Sequence, residues 1–278
     1  MSVVVSIIIP ANNEAGYIGQ CLAMMLDSDP VPGHAIELIV VANGCTDTTV
    51  AIAERYDAAA VERGWKLKVL DLHAGSKIKA LNAGDAVAIG RYRVYLDADV
   101  RVSQPLLGQI VDALNTDAAR YATGTPHIAP PDSVLTRLYA RFWRQVPFNQ
   151  STAPGFGLFA VNAPGRARWA KFPDVIADDT FVRLQFTPAE RVQVAAEYTW
   201  PMVEGLAQLV RVRRRQDKGT AQIAARYPDL LRNEAKERHD IVKLAKADPV
   251  GFAVYACVAL LVRMGKPFAN RQGWSRGR

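Results

Sequence analysis

Four short apolar runs, rich in branched residues, alternate with segments of helical spacing over the first 115 residues of the chain. The runs cover 3–9, 37–41, 66–70 and 92–96. Such runs are typical of strands that are buried on both faces of a parallel sheet. Their alternation with helices predicts a doubly wound, mostly parallel α/β sheet with helices on both faces.

The segments between these strands have the spacing of helices. These predicted helices cover 13–26, about 47–56, 76–89 and 106–114. The rest of the chain is less regular, with strands expected at 121–126, 155–161 and 192–197 and helices at 135–144, 178–186, 205–215, 220–226 and 233–247. Because no Ser- or Gly-rich linker and no internal repeat is present, we expect 116–278 to pack onto 1–115 as one continuous domain.

Charge and cysteine content limit the partners and the compartment. The net charge of +7 and the pI of about 9.4 suit nucleic acid, a phosphorylated substrate or an anionic membrane surface, and select none of them. The three cysteines form no CxxC pair. A disulfide framework or a structural zinc site is therefore not expected, and the reducing cytoplasm is the predicted location.

Two carboxylates follow the fourth predicted strand, at Asp97 and Asp99. Ligands of such sheets bind outside the carboxyl ends of the strands. Two neighbouring carboxylates repel each other unless a cation or water separates them. Mg²⁺ and Mn²⁺ prefer oxygen ligands and bind one or two carboxylates together with phosphate oxygens. The pair therefore predicts a divalent metal site, and the alternative is a solvated acidic turn.

Four segments of the chain resemble motifs of family 2 glycosyltransferases, in the order of that family. IIIPANNE at 7–14 resembles its IPAYNE opening, and VVANGCTDTT at 40–49 resembles VVDDGSTDGT. GSKIKALNAG at 75–84 resembles GKAxALNxG, and YLDAD at 95–99 resembles FLDAD. The resemblance implies a GT-A-like fold, a nucleotide-sugar-binding half at 1–115 and an acceptor-side half at 116–278.

The resemblance also implies which residues bind the nucleotide-diphosphate sugar. The matched positions after the first two strands are Pro10, Ala11, Asn13, Glu14 and Asn43. The chain has Asn12 where the family has an aromatic residue and Ala42-Asn43 where it has two aspartates, so the nucleobase stays open. Asn43 could instead supply a left-handed turn, and Glu14 could favour a helix N-terminus.

Basic residues are expected beside the diphosphate. Lys77 lies at a predicted helix start beside Gly75, where backbone donors and an ammonium can hold phosphate oxygens, unless it is a solvated lysine. Arg211 and Arg215 belong to a basic stretch that loosely resembles the Q/RxxRW helix of processive members, and they are assigned to the donor site. Gln216 stands where that motif has Trp, so processivity is not supported, and the alternative is an exposed basic face.

A second carboxylate pair, Asp178 and Asp179, resembles the family's ED motif at an acceptor-side helix. By that match Asp179 is the general base that takes the proton of the attacking hydroxyl. Asp178 joins it in the catalytic pair and can also cap the helix. The divalent metal, Mn²⁺ or Mg²⁺, is expected on Asp99 and Asp97.

The predicted function is inverting, metal-dependent sugar transfer from a nucleotide-diphosphate sugar to a carbohydrate or lipid-linked acceptor, in polysaccharide or glycolipid synthesis. One alternative is a nucleotidyltransferase that makes the sugar nucleotide, but the first loop lacks its glycine-rich, basic character. Another is a non-catalytic binding protein with the same fold. Nucleic acid is suggested only by the pI and is not an expected partner.

The apolar segment 250–262 has two possible roles, and the sequence does not decide whether the protein contacts a membrane. It is shorter than the roughly 20 residues that span a bilayer. It is followed by Arg263, Lys266, Arg271, Trp274, Arg276 and Arg278. Such a segment can lie on the inner face of an anionic membrane, and the alternative is a buried C-terminal helix.

Overall fold

The computed structural model describes residues 3–150, 153–234 and 241–265. The strands are β1 (Val3–Ala11), β2 (His34–Asn43), β3 (Lys66–Leu72), β4 (Tyr92–Leu96), β5 (Arg101–Val102), β6 (Tyr121–Ile128), β7 (Leu158–Asn162) and β8 (Arg191–Trp200). The helices are α1 (Ile18–Leu26), α2 (Thr49–Glu54), α3 (Asp57–Glu62), α4 (Lys77–Val87), α5 (Leu106–Leu114), α6 (Val134–Trp143), α7 (Pro147–Gln150), α8 (Ala163–Arg166), α9 (Asp178–Arg183), α10 (Leu206–Arg226), α11 (Ile241–Ala247) and α12 (Pro249–Met264). Two 3₁₀ helices cover Pro188–Glu190 and Pro228–Asn233.

Within the described residues the strands form one sheet in the order β3-β2-β1-β4-β7-β6-β8-β5. The strands β3, β2, β1 and β4 are parallel, as the alternation of strands and helices predicts. β7 runs antiparallel to both β4 and β6, and the short β5 runs antiparallel to β8. The predicted α/β class with a mostly parallel sheet is confirmed. All four parallel strands therefore end at the same edge.

Branched residues of β1 are buried on both faces of the sheet. Ile7 and Ile9 belong to a core that includes side chains of α1 and α5. Ile8 belongs to a second core that includes side chains of α4 and α9. Removal of this apolar surface from water on both sides is the main stabilisation of the sheet.

A third apolar cluster lies outside the two sheet faces and is built by α6, α10 and α12. Tyr139 and Phe142 of α6 pack with Leu209 of α10 and Val258 of α12. Arg141 on α6 also forms an ion pair with Asp248, whose side chain accepts a hydrogen bond from Gly251 N at the start of α12. α12 is thus fixed on the molecule along its inner side.

Three element boundaries differ from the sequence prediction for local reasons. The first helix begins at Ile18 because Asn13 has a left-handed φ of 53°. The expected strand at 155–161 begins at Leu158, since Gly155 and Gly157 have positive φ angles. The helices expected at 205–215 and 220–226 are one continuous helix, α10. Its Gly219 packs closely against Ala177, since a Cβ on Gly219 would lie 3.0 Å from the Ala177 Cβ.

The sheet crosses the predicted boundary at residue 115, because β4 pairs with β7. The division into donor and acceptor halves stays a prediction. Of the helix expected at 233–247, the part at 235–240 lies outside the described residues. The same holds for the basic and aromatic positions Lys266, Arg271, Trp274, Arg276 and Arg278. No helix among the described residues has both the length and the apolarity needed to cross a bilayer.

Candidate active site

The ends of β1 and β2 and the start of α4 are held together by the side chain of Asn43. Its Nδ2 donates a hydrogen bond to the Ala11 carbonyl at 2.8 Å, and its Oδ1 accepts one from Ser76 N at 2.9 Å. Asn43 is fully buried. Its φ is not positive, so the alternative role in a left-handed turn is wrong. Because both of its polar atoms are used in the fold, the predicted side-chain contact with a nucleobase is not supported.

The side chain of Asn13 binds the loop after β2 and does not line the cavity described below. Its Oδ1 accepts hydrogen bonds from Thr46 N at 2.7 Å and from Asp47 N at 3.2 Å. Its neighbour Asn12 donates from Nδ2 to the Asn43 carbonyl at 2.5 Å. Asn12, which stands where the family has an aromatic residue, therefore connects the loop after β1 to the loop after β2.

A cavity of about 460 Å³ opens at this edge of the sheet. One part of its lining is mostly acidic and comes from the loops after β1 and β4 and from the starts of α4 and α9. Its charged side chains are Glu14, Lys77, Asp97, Asp99, Asp178 and Asp179. The pair Asp97 and Asp99 and the pair Asp178 and Asp179, which are far apart in sequence, thus line the same cavity.

Lys77 lies between the two carboxylate pairs. Its Nζ is 2.9 Å from Oδ1 of Asp97 and 3.3 Å from Oδ2 of Asp178. Burial disfavours the ammonium, but Asp178 and Asp97 outweigh burial and raise the pKa of Lys77. The side chain is therefore a cation held between β4 and α9, and the alternative of a solvated lysine is wrong.

Asp178 and Asp179 differ in their surroundings. α9 begins at Asp178 itself, and the residue before it, Ala177, is the cap and makes no side-chain bond. The predicted cap role of Asp178 is therefore wrong, because its carboxylate is in contact with Lys77. Burial raises the pKa of Asp178 to about 6, although Lys77 opposes the shift. Asp179 is half-buried, and its Oδ1 accepts a hydrogen bond from Thr180 N at 2.6 Å.

The carboxylates of Asp97 and Asp99 act on the buried thiol of Cys21. Burial raises the pKa of the Cys21 thiol, and Asp99, Asp97 and Glu14 raise it further. Within 3–150, 153–234 and 241–265, no three His, Cys, Asp or Glu side chains are grouped so that they could hold a metal ion. These described residues alone therefore do not form a complete metal-binding site.

The other part of the cavity lining is aromatic, and sequence reasoning missed it. Its rings are Trp143, Phe148, Phe156, Trp200 and Tyr255. Trp143 and Trp200 stack at a centroid distance of 6.1 Å, and Phe156 packs edge-on against Trp200 at 5.3 Å. These rings come from five separate segments, so no spacing along the sequence could have identified them.

The basic stretch of α10 points in several directions. Arg213 and Arg215 line the cavity, whereas Arg211 is exposed and is not part of the lining. Arg213 donates to the Tyr255 hydroxyl at 2.9 Å, and Arg214 donates to the Leu261 carbonyl of α12 at 2.6 Å. The expectation for Arg215 fits the geometry, and the one for Arg211 does not.

The predicted site residues thus fall into two groups. The cavity is lined by Pro10, Glu14, Lys77, Asp97, Asp99, Asp178, Asp179 and Arg215. Ala11, Asn13, Asn43 and Arg211 are not part of its lining. The first three shape the loops at its edge.

Comparison with known proteins identifies the family of this chain. Residues 6–171 match the family described as glycosyl transferase family 2. The chain belongs to glycosyl transferase family 2. The matched residues include most of β1, all of β4 and α4, and also Lys77, Asp97 and Asp99, whereas Asp178 and Asp179 follow the matched region.

A curated relative supports the same family. The chain is 30% identical over 138 residues to the glycosyltransferase AglD of Haloferax volcanii. The match includes 48% of this chain and 21% of the relative, so the matched half of the chain corresponds to about a fifth of that protein.

Solved structures show the same fold. The mannosyltransferase PcManGT of Pyrobaculum calidifontis, in complex with GDP-Man and Mn²⁺, has a TM-score of 0.61 at 20% identity, with 95% of this chain and 76% of that chain covered. S. aureus TarS 1-349 with UDP-GlcNAc has a TM-score of 0.58 at 17% identity, covering 94% and 76%. The glucosyl-3-phosphoglycerate synthase of Mycobacterium tuberculosis, with Mn²⁺, UDP and glucosyl-3-phosphoglycerate, has a TM-score of 0.54 at 19% identity, covering 81% and 80%. The predicted GT-A-like fold is confirmed.

Proposed function

We propose that this family 2 protein transfers a sugar from a nucleotide-diphosphate sugar to a hydroxyl acceptor, with inversion at the sugar carbon. One observation carries the proposal: the carboxylate pair after β4 and the pair on α9 line the same cavity. The first pair suits the donor side and the second suits the acceptor side. The relatives described above that bind GDP-Man and UDP-GlcNAc support a nucleotide-sugar donor.

The residues present fit a divalent metal. Asp97 and Asp99 supply carboxylate oxygens, and Asp97 already contacts a cation in the form of the Lys77 ammonium. Donor phosphates and water would provide the remaining ligands. Mn²⁺ or Mg²⁺ bound there would neutralise charge on the departing diphosphate. The Mn²⁺ in the PcManGT complex supports this assignment.

Side chains of this protein can accept the proton of the acceptor and stabilise the negative charge of the leaving group. Asp179 would accept the proton of the acceptor hydroxyl, and the oxygen would then form a bond to the sugar carbon. The bond from that carbon to the diphosphate oxygen breaks on the opposite face, and the nucleoside diphosphate leaves with the electron pair. Lys77 and Arg215 would hold negative phosphate oxygens.

Turnover of the sugar nucleotide tests the proposal. The full chain is incubated with UDP-, GDP- and dTDP-sugars, with and without Mn²⁺, and nucleoside diphosphate release is measured. We expect release from at least one donor, dependent on the metal. A chain that binds a donor but releases nothing, with or without a carbohydrate acceptor, would be a non-catalytic binding protein. Release of pyrophosphate from a nucleoside triphosphate and a sugar phosphate would indicate the nucleotidyltransferase alternative.

The acceptor is proposed to be a carbohydrate or a lipid-linked hydroxyl compound, in polysaccharide or glycolipid synthesis. The aromatic part of the cavity offers area for either. α12 adds an observation that favours contact with a membrane. Five of its exposed residues, Val250, Ala253, Cys257, Leu260 and Met264, are apolar and follow a helical spacing, and the exposed Pro249 and Arg263 lie at the two ends of the helix. We call these five residues the outer stripe, and we propose a cytoplasmic location with peripheral membrane contact through it.

A further inference from the structure

Lys77 joins the two sides of the cavity through one ammonium group. Asp97 follows β4, and Asp178 begins α9, 81 positions further along the chain. The Nζ of Lys77 lies 2.9 Å from the first carboxylate and 3.3 Å from the second. The side chains of Lys77 and Asp178 are 21% and 5% exposed, so water screens these contacts only partly.

This ammonium lies where a metal ligated by Asp97 would place its charge. A divalent metal binds a carboxylate oxygen at about 2.0–2.2 Å, whereas Lys77 already contacts Oδ1 of Asp97. Two cations on one carboxylate repel each other, and the repulsion is stronger in a partly dry cavity than in water. The metal and the ammonium therefore compete for Asp97.

We propose that Lys77 is a built-in counter-ion that keeps a divalent cation off Asp97 until a diphosphate enters the cavity. The inference rests on the proposed donor site. A diphosphate supplies negative oxygens that attract the ammonium away from Asp97 and at the same time complete the shell of a metal. Metal and nucleotide then bind together, and the metal binds weakly alone.

The same movement has a consequence on the acceptor side. While Lys77 contacts Asp178, it links α9 to the donor side of the cavity. A shift of the ammonium toward a diphosphate would weaken that contact next to Asp179. Arrival of the donor would thus change the charge beside the proposed general base.

Mn²⁺ binding without nucleotide tests the inference. Mn²⁺ is titrated into the full chain, and the free ion is followed by its paramagnetic resonance signal. Lys77→Met removes a positive charge in contact with Asp97, and we expect it to bind Mn²⁺ at least about tenfold more tightly than the wild type. Lys77→Arg, which keeps the charge, should remain as weak as the wild type. Lys79→Met is the matched control, because Lys79 is exposed on the same helix.

Further variants keep the result interpretable. Lys77→Gln retains a hydrogen-bond donor and replaces Lys77→Met if the latter does not fold, as judged by circular dichroism. Adding Asp97→Asn to Lys77→Met should remove the gain in affinity. Equal or weaker Mn²⁺ binding by a folded Lys77→Met or Lys77→Gln would overturn the inference. If the wild type turned over no sugar nucleotide, the proposed function would fail, whereas this titration would still report on Lys77.

Discussion

The neighbouring carboxylates of Asp178 and Asp179 lie in different surroundings on one turn of α9. Asp178 is buried against Lys77, whereas Asp179 is half-buried at the cavity. A general base must reach the acceptor hydroxyl, and the buried carboxylate of Asp178 is in contact with Lys77 instead. We therefore propose Asp179 over Asp178 as the base, with Asp178 positioning Lys77.

Replacement of Asp179 by Asn tests this difference. The amide cannot take the proton of the acceptor hydroxyl, so we expect kcat to fall about 10²-fold or more while donor affinity stays nearly unchanged. The measurement is steady-state transfer together with donor titration. Asp174→Asn, an exposed position in the preceding loop, is the control. An equal loss of donor affinity in Asp179→Asn would assign the residue to the donor site or to the fold.

The carboxylate of Glu190 makes the stability of the fold depend on pH in the acidic range. A hydrogen bond from Arg168 lowers the pKa of Glu190 to about 2, and hydrogen bonds from Thr187 add to the effect. Because the folded pKa lies below the unfolded value, the stabilisation is present above about 4.5 and is lost as the pH falls toward about 2. We expect Glu190→Gln to lower the free energy of unfolding at pH 7.

The pH series distinguishes this effect from a general loss of packing. Urea unfolding of Glu190→Gln and of the wild type should give a difference that shrinks as the pH falls below about 4.5. Glu62→Gln, at an exposed position, should show no such change. A difference that stays constant with pH would contradict the assigned role of Glu190.

At the scale of single residues, the structure brings several residues of the sequence motifs together in one cavity. Lys77, Asp97 and Asp179 lie where a parallel sheet and a helix start place them. The motif position of Asn43 predicts a contact with the donor, but its amide is used in the fold. Such use depends on the distance between loops, which a single sequence does not give.

At the scale of elements, the loops after β1 and β2 form one unit. Asn43 donates to Ala11, and Asn13 accepts from the loop after β2. Gly44 completes the contact, since a Cβ on it would lie 2.5 Å from Gly75 N, at a φ of 61°. The rim of the cavity is therefore set by hydrogen bonds that bridge three strand-to-helix connections.

Replacement of Asn43 by Asp, the residue typical of the family, should destabilise this chain. An ionised carboxylate cannot donate to the Ala11 carbonyl, and it would be fully buried. We expect the free energy of unfolding to fall by about 2–3 kcal/mol, measured by urea unfolding at pH 7. Asn13→Asp is the matched control, because Oδ1 of Asn13 acts as an acceptor and the position is half-buried. Equal stability of the two variants would contradict the role of Asn43.

The sequence pattern predicts the types of the longer elements, but it does not predict the short elements α3, α7, α8 and β5 or several of the boundaries. The strand 92–96 and the helix 106–114 were predicted with the bounds that the structure has, because an apolar pattern runs through each. The first helix starts later because Asn13 adopts a left-handed conformation to reach the loop after β2. Here a tertiary contact overrides the local helical pattern.

At the scale of the whole molecule, the least predicted part is the layer of α6, α10 and α12. This layer contributes Trp143, Arg213 and Tyr255 to the cavity on its inner side. Its outer side has the outer stripe of α12, of which Leu260 is 57% exposed and Met264 is 70% exposed. The sequence left open whether 250–262 is core or interfacial, and the helix has both a buried and an exposed side.

Liposome binding tests the outer stripe. We expect the full chain to pellet with anionic liposomes at low salt and less at high salt, because each basic residue near the surface adds attraction of about 1 kcal/mol. Leu260→Glu should reduce pelleting, whereas Ile89→Glu, at an exposed apolar position on another part of the molecule, should not. A wild-type chain that stays in the supernatant at low salt would refute membrane contact.

We propose above all that the acidic cavity binds a nucleotide-diphosphate sugar through Asp99 and a divalent cation. Calorimetric titration of UDP-, GDP- and dTDP-sugars, with Mn²⁺ and with a chelator, tests it directly on the wild type, Asp99→Ala and the exposed control Asp117→Ala. We predict that at least one donor binds the wild type and Asp117→Ala with Mn²⁺, and that binding is lost with the chelator and in Asp99→Ala. Donor binding by Asp99→Ala equal to that of the wild type, or no binding of any donor, would contradict the account.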